Sequence, residues 1–205
     1  RWGQDVIHCP YCHGWEVRDQ PIGILATGPM AVHQALLFRQ LSDDVLVFSH
    51  TSVLADDDRA RLAVRQVRVV EGEVAELQVA AGRLAAVALT DGRLVPRQVL
   101  AVQSRMVARA AFLADLGLWP VDHPMGVGSY VPADPTGLSE VPGVYLAGNV
   151  TDLTAQVGAA AAAGALAGAR INADLVDEET ETALRTRQKT SVAITDASAG
   201  LLEAH

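Results

Sequence analysis

The sequence predicts an α/β protein in which a parallel β-sheet is followed by an antiparallel β-meander. Between residues 22 and 70, short apolar segments alternate with segments of helical periodicity, an order typical of parallel sheets. Between residues 74 and 101, apolar segments follow one another closely, separated by Gly82 and by Asp91-Gly92, which are typical turn residues. A long alanine-rich segment near the C-terminus predicts one further helix.

The individual elements follow from the same patterns. The parallel part is predicted to contain, in chain order, a strand at 22–26, a helix at 31–41, a strand at 45–48, a helix at 56–65 and a strand at 67–70. The meander is predicted to contain strands at 74–79, 84–89 and 94–101, followed by a short helix at 110–116. Beyond a proline-rich stretch, a last strand is predicted at 144–147 and a helix at 157–176. The polar end of the chain, residues 177–205, predicts one frayed helix and a disordered tail.

Composition and charge exclude several classes of protein. The chain of 205 residues carries a formal net charge of −8, which argues against nucleic acid as a partner because phosphate binding requires clustered Lys and Arg. No apolar run reaches the roughly 20 residues that a membrane span needs, and the sequence shows no secretion signal. We therefore expect no membrane association and a cytoplasmic location. In a reducing compartment, a close pair of cysteines is expected to be catalytic or metal-binding.

Residues 8–13, with the sequence His-Cys-Pro-Tyr-Cys-His, are compatible with three kinds of chemistry. The Cys-x-x-Cys spacing lets two sulfurs form a disulfide, and neighbouring histidines can lower the pKa of a thiol. The same residues match a motif for covalent haem attachment, and they offer two thiolates and two imidazoles to zinc. Haem attachment is disfavoured because it requires export, and zinc because ligands this close in sequence seldom converge on one tetrahedron. The sequence therefore predicts a redox-active dithiol formed by Cys9 and Cys12, without a metal.

A glycine-containing turn between the first long predicted strand and the helix after it fits a dinucleotide-binding fingerprint. Ala26, Gly28 and Ala31 occupy its three small-residue positions, in the form Ala-x-Gly-x-x-Ala. Gly28 would let the backbone approach a pyrophosphate, and Ala31 would let the helix pack closely on the strand. A plain strand–helix turn remains the alternative. After the next strand, neither an acid for a ribose hydroxyl nor an arginine for a 2′-phosphate is present, so His50 and Ser52 are the candidate phosphate ligands.

The order of these motifs resembles that of the thioredoxin reductase family. In that family a Cys-x-x-Cys-[Asp/His]-Gly motif precedes the nicotinamide fingerprint, as residues 9–14 and 26–31 do here. Residues 144–149 resemble the family's return to its FAD domain, which implies that Gly148 and Asn149 bind FAD. Gln156 and Val157 resemble the step beside the flavin ring, at the positive end of the last helix. We expect the family's N-terminal FAD-binding half, on the order of 100 residues, to lie upstream.

The resemblance implies how the chain is divided. Residues 1–118 would form the nicotinamide-nucleotide-binding-like domain, with its parallel sheet, its meander and the dithiol. Residues 119–178 would form the C-terminal piece of an FAD-binding domain, and 179–205 a polar tail. Members of the family are usually two-fold dimers, so we expect a homodimer by analogy.

The resemblance also implies a function. It indicates a flavin-dependent oxidoreductase that passes electrons between FAD and a thiol or disulfide substrate, protein or small molecule, through Cys9 and Cys12. NADPH would be the second cofactor, and His13 would act as general acid and base. Because His13 stands where Asp is more usual, a dithiol oxidase that uses oxygen without NADPH is one alternative. A non-enzymatic nucleotide-binding fragment of a split or truncated gene is the other.

Overall fold

A computed structural model describes the backbone of residues 1–202 and the side chains of residues 1–188. The chain divides into two compact units, Arg1–Arg105 and Met106–His205. The domain division drawn from the sequence, with a boundary after residue 118, stays a prediction. Within the described residues, no helix is both long enough and apolar enough to cross a membrane.

The first unit is built around a five-stranded parallel sheet. In chain order its elements are β1 (Val6–Ile7), α1 (Pro10–His13), β2 (Ile22–Leu25), α2 (Ala31–Phe38), β3 (Val45–Phe48), α3 (Asp56–Val64), β4 (Arg68–Val70), β5 (Val74–Ala80), β6 (Arg83–Leu89), β7 (Leu94–Pro96) and β8 (Val99–Val102). The parallel sheet has the strand order β1-β8-β2-β3-β4. Strands β5, β6 and β7 form a separate antiparallel sheet, which confirms the predicted combination of parallel sheet and meander.

Both faces of the parallel sheet are covered, which explains why its strands are continuously apolar. Ile24 and Val47 belong to a core cluster that includes residues of α2 and α3. Leu46 and Leu100 point to the opposite face, in a cluster with Val87 of the meander. Alternate residues of one strand therefore contribute to two different cores, as the two-residue repeat of a strand requires.

One predicted strand is divided in two by the structure. We expected residues 94–101 to form a single meander strand, but β7 ends at Pro96 and β8 begins at Val99. Proline has no backbone N–H to continue the ladder with β6. The N–H groups of Gln98 and Val99 instead donate to the carbonyl of Pro21, at 3.1 and 3.3 Å, and β8 then runs between β1 and β2. The chain thus returns from the meander to the parallel sheet.

The second unit contains β9 (Met106–Val107), a 3-10 helix (Ala111–Leu116), β10 (Val121–Asp122), β11 (Gly128–Tyr130), a second 3-10 helix (Gly148–Val150) and α4 (Val157–Leu202). Its small sheet has the order β10-β11-β9. Leu113, Leu118, Val131 and Leu146 form its core. These elements position the segment around Gly148 and the beginning of α4.

One strand predicted for the second unit was not found: among the described residues, only Tyr145 of the segment 144–147 pairs, through a single bridge to Leu138. The helix predicted at 157–176 is longer than expected, because α4 continues through the polar segment as far as Leu202, and residues 203–205 lie outside the described residues. Helix continuation has a local cause, since Arg185 pairs with Glu181 one turn earlier at 3.3 Å.

Candidate redox site and nucleotide-binding segments

The two cysteines lie side by side at the start of α1. Cys9 is the N-cap of this helix, and the N–H groups of Cys12 and His13 donate to its carbonyl at 3.3 and 3.1 Å. Cys9 is half-buried and Cys12 is exposed, and their sulfurs are not bonded to each other. The arrangement is therefore a reduced dithiol within reach of an external substrate.

The two thiols interact directly. The pKa of the Cys12 thiol is raised, chiefly by its hydrogen bond to Cys9, then by burial and by the charge of Cys9. Cys12 therefore keeps its proton while it donates to its neighbour. A direct interaction between the two thiols is what dithiol chemistry at a Cys-x-x-Cys motif requires.

The two histidines that flank the motif differ in their surroundings. His13 is exposed and occupies the last turn of α1. His8 is half-buried, and its Nδ1 lies 3.1 Å from the carbonyl oxygen of Val102, while its own carbonyl accepts from Gln34 at 2.6 Å. Because a carbonyl can only accept, Nδ1 of His8 carries the proton and Nε2 keeps the lone pair. The His8 ring is thus fixed by β8, and its Nε2 is available as a base.

Gly14, the last residue of the motif, is required by close packing. A Cβ at this position would lie closer than 3.0 Å to the carbonyl oxygen of Pro10 and to the Leu41 side chain. The N–H of Gly14 donates to the same Pro10 carbonyl at 2.8 Å. Gly14 therefore allows α1 to close its single turn against the chain that follows α2.

The dinucleotide-like turn has the predicted order of strand, turn and helix. Ala26 follows β2 and is fully buried, and Ala31 begins α2 with 1% of its surface exposed. Among the described residues no side chain caps α2, so the first backbone N–H groups of this helix are not hydrogen-bonded to a capping side chain. A Cβ built on Gly28 meets nothing within 4 Å, so this glycine is not needed for packing within the chain. An open backbone at Gly28 fits the predicted approach of a phosphate.

The loop after β3 uses its polar side chains within the chain. The Oγ of Ser52 donates to the carbonyl of Ala26 at 2.9 Å. His50 has a left-handed backbone (φ 49°), and its Nδ1 accepts from the N–H of Val74 at 3.1 Å. The proton of a neutral His50 ring then lies on Nε2, the one ring nitrogen left to donate to an anion. The hydroxyl of Ser52 is thus occupied by its hydrogen bond to Ala26, whereas His50 stays a predicted ligand of a phosphate.

One of the predicted flavin-side residues lines a cavity of the second unit, and another lies next to it in the chain. Asn149 lines a cavity of about 300 Å³ together with Arg109 and Leu153. Gly148 has a left-handed backbone (φ 79°), and a Cβ there would lie 3.4 Å from the Cβ of Ala160 in α4. A glycine at this position therefore lets the second 3-10 helix lie close to α4.

The N-terminus of α4 presents the other two predicted residues. Gln156 is exposed, and its carbonyl accepts from Ala160 at 2.8 Å. Val157, the first residue of α4, is 88% exposed. An exposed helix start of this kind offers N–H groups and a positive dipole to a ring or an anion.

Comparisons with known proteins agree with this geometry. No protein-family model matches the chain. The crystal structure of HlmI superposes with a TM-score of 0.84 and 45% sequence identity, covering 93% of this chain and 58% of that one. An oxidoreductase from Agrobacterium tumefaciens gives a TM-score of 0.76 and 34% identity, covering 86% and 58%. Thioredoxin reductase tcpT from Claviceps purpurea is 29% identical over 183 residues, which are 85% of this chain and 56% of tcpT.

This chain is similar to thioredoxin reductase-like oxidoreductases. The family resemblance and the fold class drawn from the sequence are thereby confirmed, and two of these matched proteins are named as a thioredoxin reductase and an oxidoreductase. The similarity to these proteins agrees with the two cofactors that the resemblance implies, FAD and NADPH. The chain spans just over half the length of the curated relative and of the solved structures that it matches.

Some features of this chain were not predictable from its motifs. The contacts that orient His8 come from Gln34 and Val102, which are distant in sequence. Arg109 and Leu153, which line the cavity beside Asn149, belong to no motif. The steric role of Gly14 was not predicted either, although Gly14 belongs to the Cys-x-x-Cys-[Asp/His]-Gly motif.

Proposed function

We propose that this chain carries the dithiol of a flavin-dependent oxidoreductase, which passes electrons between FAD and a thiol or disulfide substrate through Cys9 and Cys12. The interaction between the two thiols supports this most directly, because Cys12 donates to Cys9 at an exposed position. The parallel-sheet unit holds the dithiol beside a dinucleotide-like turn, which is consistent with the relatives.

The exchange reaction needs only the two cysteines and a disulfide. The Cys9 thiolate attacks one sulfur of the substrate disulfide, forms a mixed disulfide and releases the first substrate thiolate. Cys12, after losing its proton, attacks the Cys9 sulfur, releases the second thiolate and closes the Cys9–Cys12 disulfide. Two protons from the enzyme's thiols leave with the products. In the reverse direction the same steps oxidise a substrate dithiol.

We assign the proton transfers to the histidines of the motif. His13 remains the candidate general acid and base, because it is exposed next to Cys12. His8 is the second candidate, since the Val102 carbonyl fixes its tautomer and leaves Nε2 as the base. A side chain whose orientation is already fixed loses little conformational entropy when it exchanges a proton with a thiol.

The residues of the second unit fit part of an FAD site. Asn149 offers an amide to a hydroxyl of the cofactor, Gly148 keeps the backbone close to α4, and Val157 exposes the helix start. FAD, when bound, supplies or accepts the two electrons that the dithiol exchanges. The positive end of α4 would favour negative charge in its neighbourhood.

The contacts of the loop after β3 favour oxygen over NADPH as the second redox partner. Ser52 is bonded to Ala26, and His50 is bonded to Val74, so the loop that would read the ribose has few free groups. This observation favours a dithiol oxidase that passes electrons to oxygen and does not depend on NADPH. Oxygen uptake and NADPH consumption by the flavin-loaded protein distinguish a dithiol oxidase from an NADPH-dependent reductase. NADPH oxidation coupled to reduction of the substrate would refute the assignment as an oxidase.

The substrate is proposed to be a thiol or disulfide with apolar surface, in a protein or in a small molecule. Tyr11 and Trp15, close to Cys12 in sequence, are 77% and 68% exposed, and Arg18 stacks on Trp15 at 4.2 Å. A homodimer remains a proposal by analogy with the family.

The chain permits a direct test of the exchange, because it contains only two cysteines. Reaction of the reduced chain with 5,5′-dithiobis(2-nitrobenzoate) should release two thionitrobenzoate ions and leave none attached, since the second cysteine resolves the mixed disulfide. Cys9→Ser and Cys12→Ser should each release one and retain one, which mass spectrometry detects. A wild-type chain that retains two labels would contradict the proposal. It would favour a non-enzymatic nucleotide-binding fragment instead.

A further inference from the structure

A second cleft lies in the first unit, at the amino ends of its parallel strands. This end of the sheet is opposite to the turn at Gly28, which follows the carboxyl end of β2. The loops that lead into β2, β3 and β8 form the walls of the cleft, and the first residues of β6 complete them. Its volume is about 780 Å³, and its polar lining residues are Gln20, Asp44, Arg83, Arg97 and Gln98.

The cleft concentrates positive charge in an acidic protein. Arg97, only 6% exposed, donates through Nη1 to Oδ1 of Asp44 at 2.8 Å, and Arg68 donates to the same oxygen at 3.3 Å. Arg83 lines the cleft and makes no ion pair with any described side chain. The lining of the cleft therefore contains two guanidinium groups and one carboxylate, and Arg68 offsets the charge of that carboxylate from outside the lining, in a chain whose net charge is −8.

Two buried polar atoms at this cleft lack partners. The Nε of Arg97 has no acceptor, and the Oε1 of Gln20 has no donor. Buried polar groups in proteins are nearly always hydrogen-bonded, so each unpaired one calls for an explanation. The two atoms have opposite character, since Nε–H of Arg97 donates and Oε1 of Gln20 accepts.

We propose that this cleft binds inorganic phosphate. Hydrogen phosphate carries two negative charges, which the guanidinium groups of Arg83 and Arg97 complement. Its oxygens can accept from Arg83 and Arg97, and its O–H can donate to Gln20 after a small rotation of the two covered side chains. A phosphate ester has lost that O–H at neutral pH, and sulfate never has it, so free phosphate is favoured over both.

The test is a ¹⁵N NMR titration of the 205-residue chain with sodium phosphate at constant ionic strength. The Nε–H signal of Arg97 should shift in a saturable way. Arg83→Gln should weaken binding about tenfold, as expected for the loss of one charge-assisted hydrogen bond. Arg61→Gln is the matched control, because Arg61 is an exposed arginine of α3 that does not line the cleft. It should leave binding unchanged.

Two further comparisons test the assignment. Asp44→Asn should tighten phosphate binding several-fold, because it removes the one negative charge that competes for Arg97. Sulfate and glycerol 3-phosphate should each bind more weakly than phosphate. A shift that does not saturate, equal losses in Arg83→Gln and Arg61→Gln, or sulfate binding as tight as phosphate would each overturn the proposal.

Discussion

Replacement of Gly14 by alanine tests whether the dithiol turn depends on close packing. The new Cβ would fall closer than 3.0 Å to the Pro10 carbonyl oxygen and 3.0 Å from its carbonyl carbon. Because Pro10 is backbone of α1, the contact cannot be relieved by a side-chain rotation. Overpacking of this kind costs about 1–3 kcal/mol. Alanine stabilises a helical backbone by about 0.5–1 kcal/mol relative to glycine. The net loss in the free energy of unfolding should therefore be about 1–2 kcal/mol.

Thermal unfolding followed by circular dichroism measures this loss. For a chain of this size, 1 kcal/mol corresponds to roughly 2–4 °C, so Gly14→Ala should lower Tm by roughly 2–8 °C. Gly28→Ala is the matched control, because its Cβ meets no atom within 4 Å. Its Tm should stay the same or rise slightly. Equal Tm values for the two variants would refute the argument that the Pro10 carbonyl requires a glycine.

Three other substitutions should change a pKa or the stability of the chain in a stated direction. Cys9→Ser should lower the pKa of Cys12, because that pKa is raised first of all by the hydrogen bond to Cys9. The midpoint of the pH dependence of iodoacetamide labelling at Cys12 should therefore move to lower pH, and an unchanged midpoint would contradict the interaction of the two thiols. Asp5, 4% exposed and bonded to Arg1, has a lowered pKa, chiefly because of that hydrogen bond. Its contribution to stability should therefore be complete above the unfolded pKa of about 3.9 and be lost as the pH falls through the folded value. Asp5→Asn should cost about 1.5–3 kcal/mol at pH 7 and little at low pH, which urea unfolding at both pH values measures. Gly148→Ala should cost about 1–2 kcal/mol because of its left-handed backbone, and an unchanged urea midpoint would exclude that strain.

The parts of the fold that the sequence predicted are those encoded by local patterns. The strands β2 and β3 and the helices α2 and α3 have clear periodicity, and their cores use the expected residues. The division of residues 94–101 into β7 and β8 depends on Pro21, a partner more than seventy residues earlier in the chain. Periodicity within one segment contains no information about such a partner.

The candidate site shows the same limit. The spacing of Cys9 and Cys12 is local, so a motif was enough to find the pair. The orientation of His8 depends on Val102, and the pairing of Arg97 with Asp44 joins two loops that are distant in sequence. Neither contact has a sequence pattern of its own. A segment such as 144–147 was assigned to a strand because it is apolar, although it has only one bridge partner among the described residues.

The position of β8 affects how the protein is made. β1 pairs with β8, through Val6 with Leu100 and Ile7 with Ala101, and the same strand fixes the His8 ring. On a ribosome, the two thiols emerge before this strand has been synthesised. During that interval their segment lacks its partner strand, and the thiols are open to oxidants and to other nascent thiols. Correct placement of the cysteines therefore waits for the synthesis of β8, although they precede that strand in the sequence.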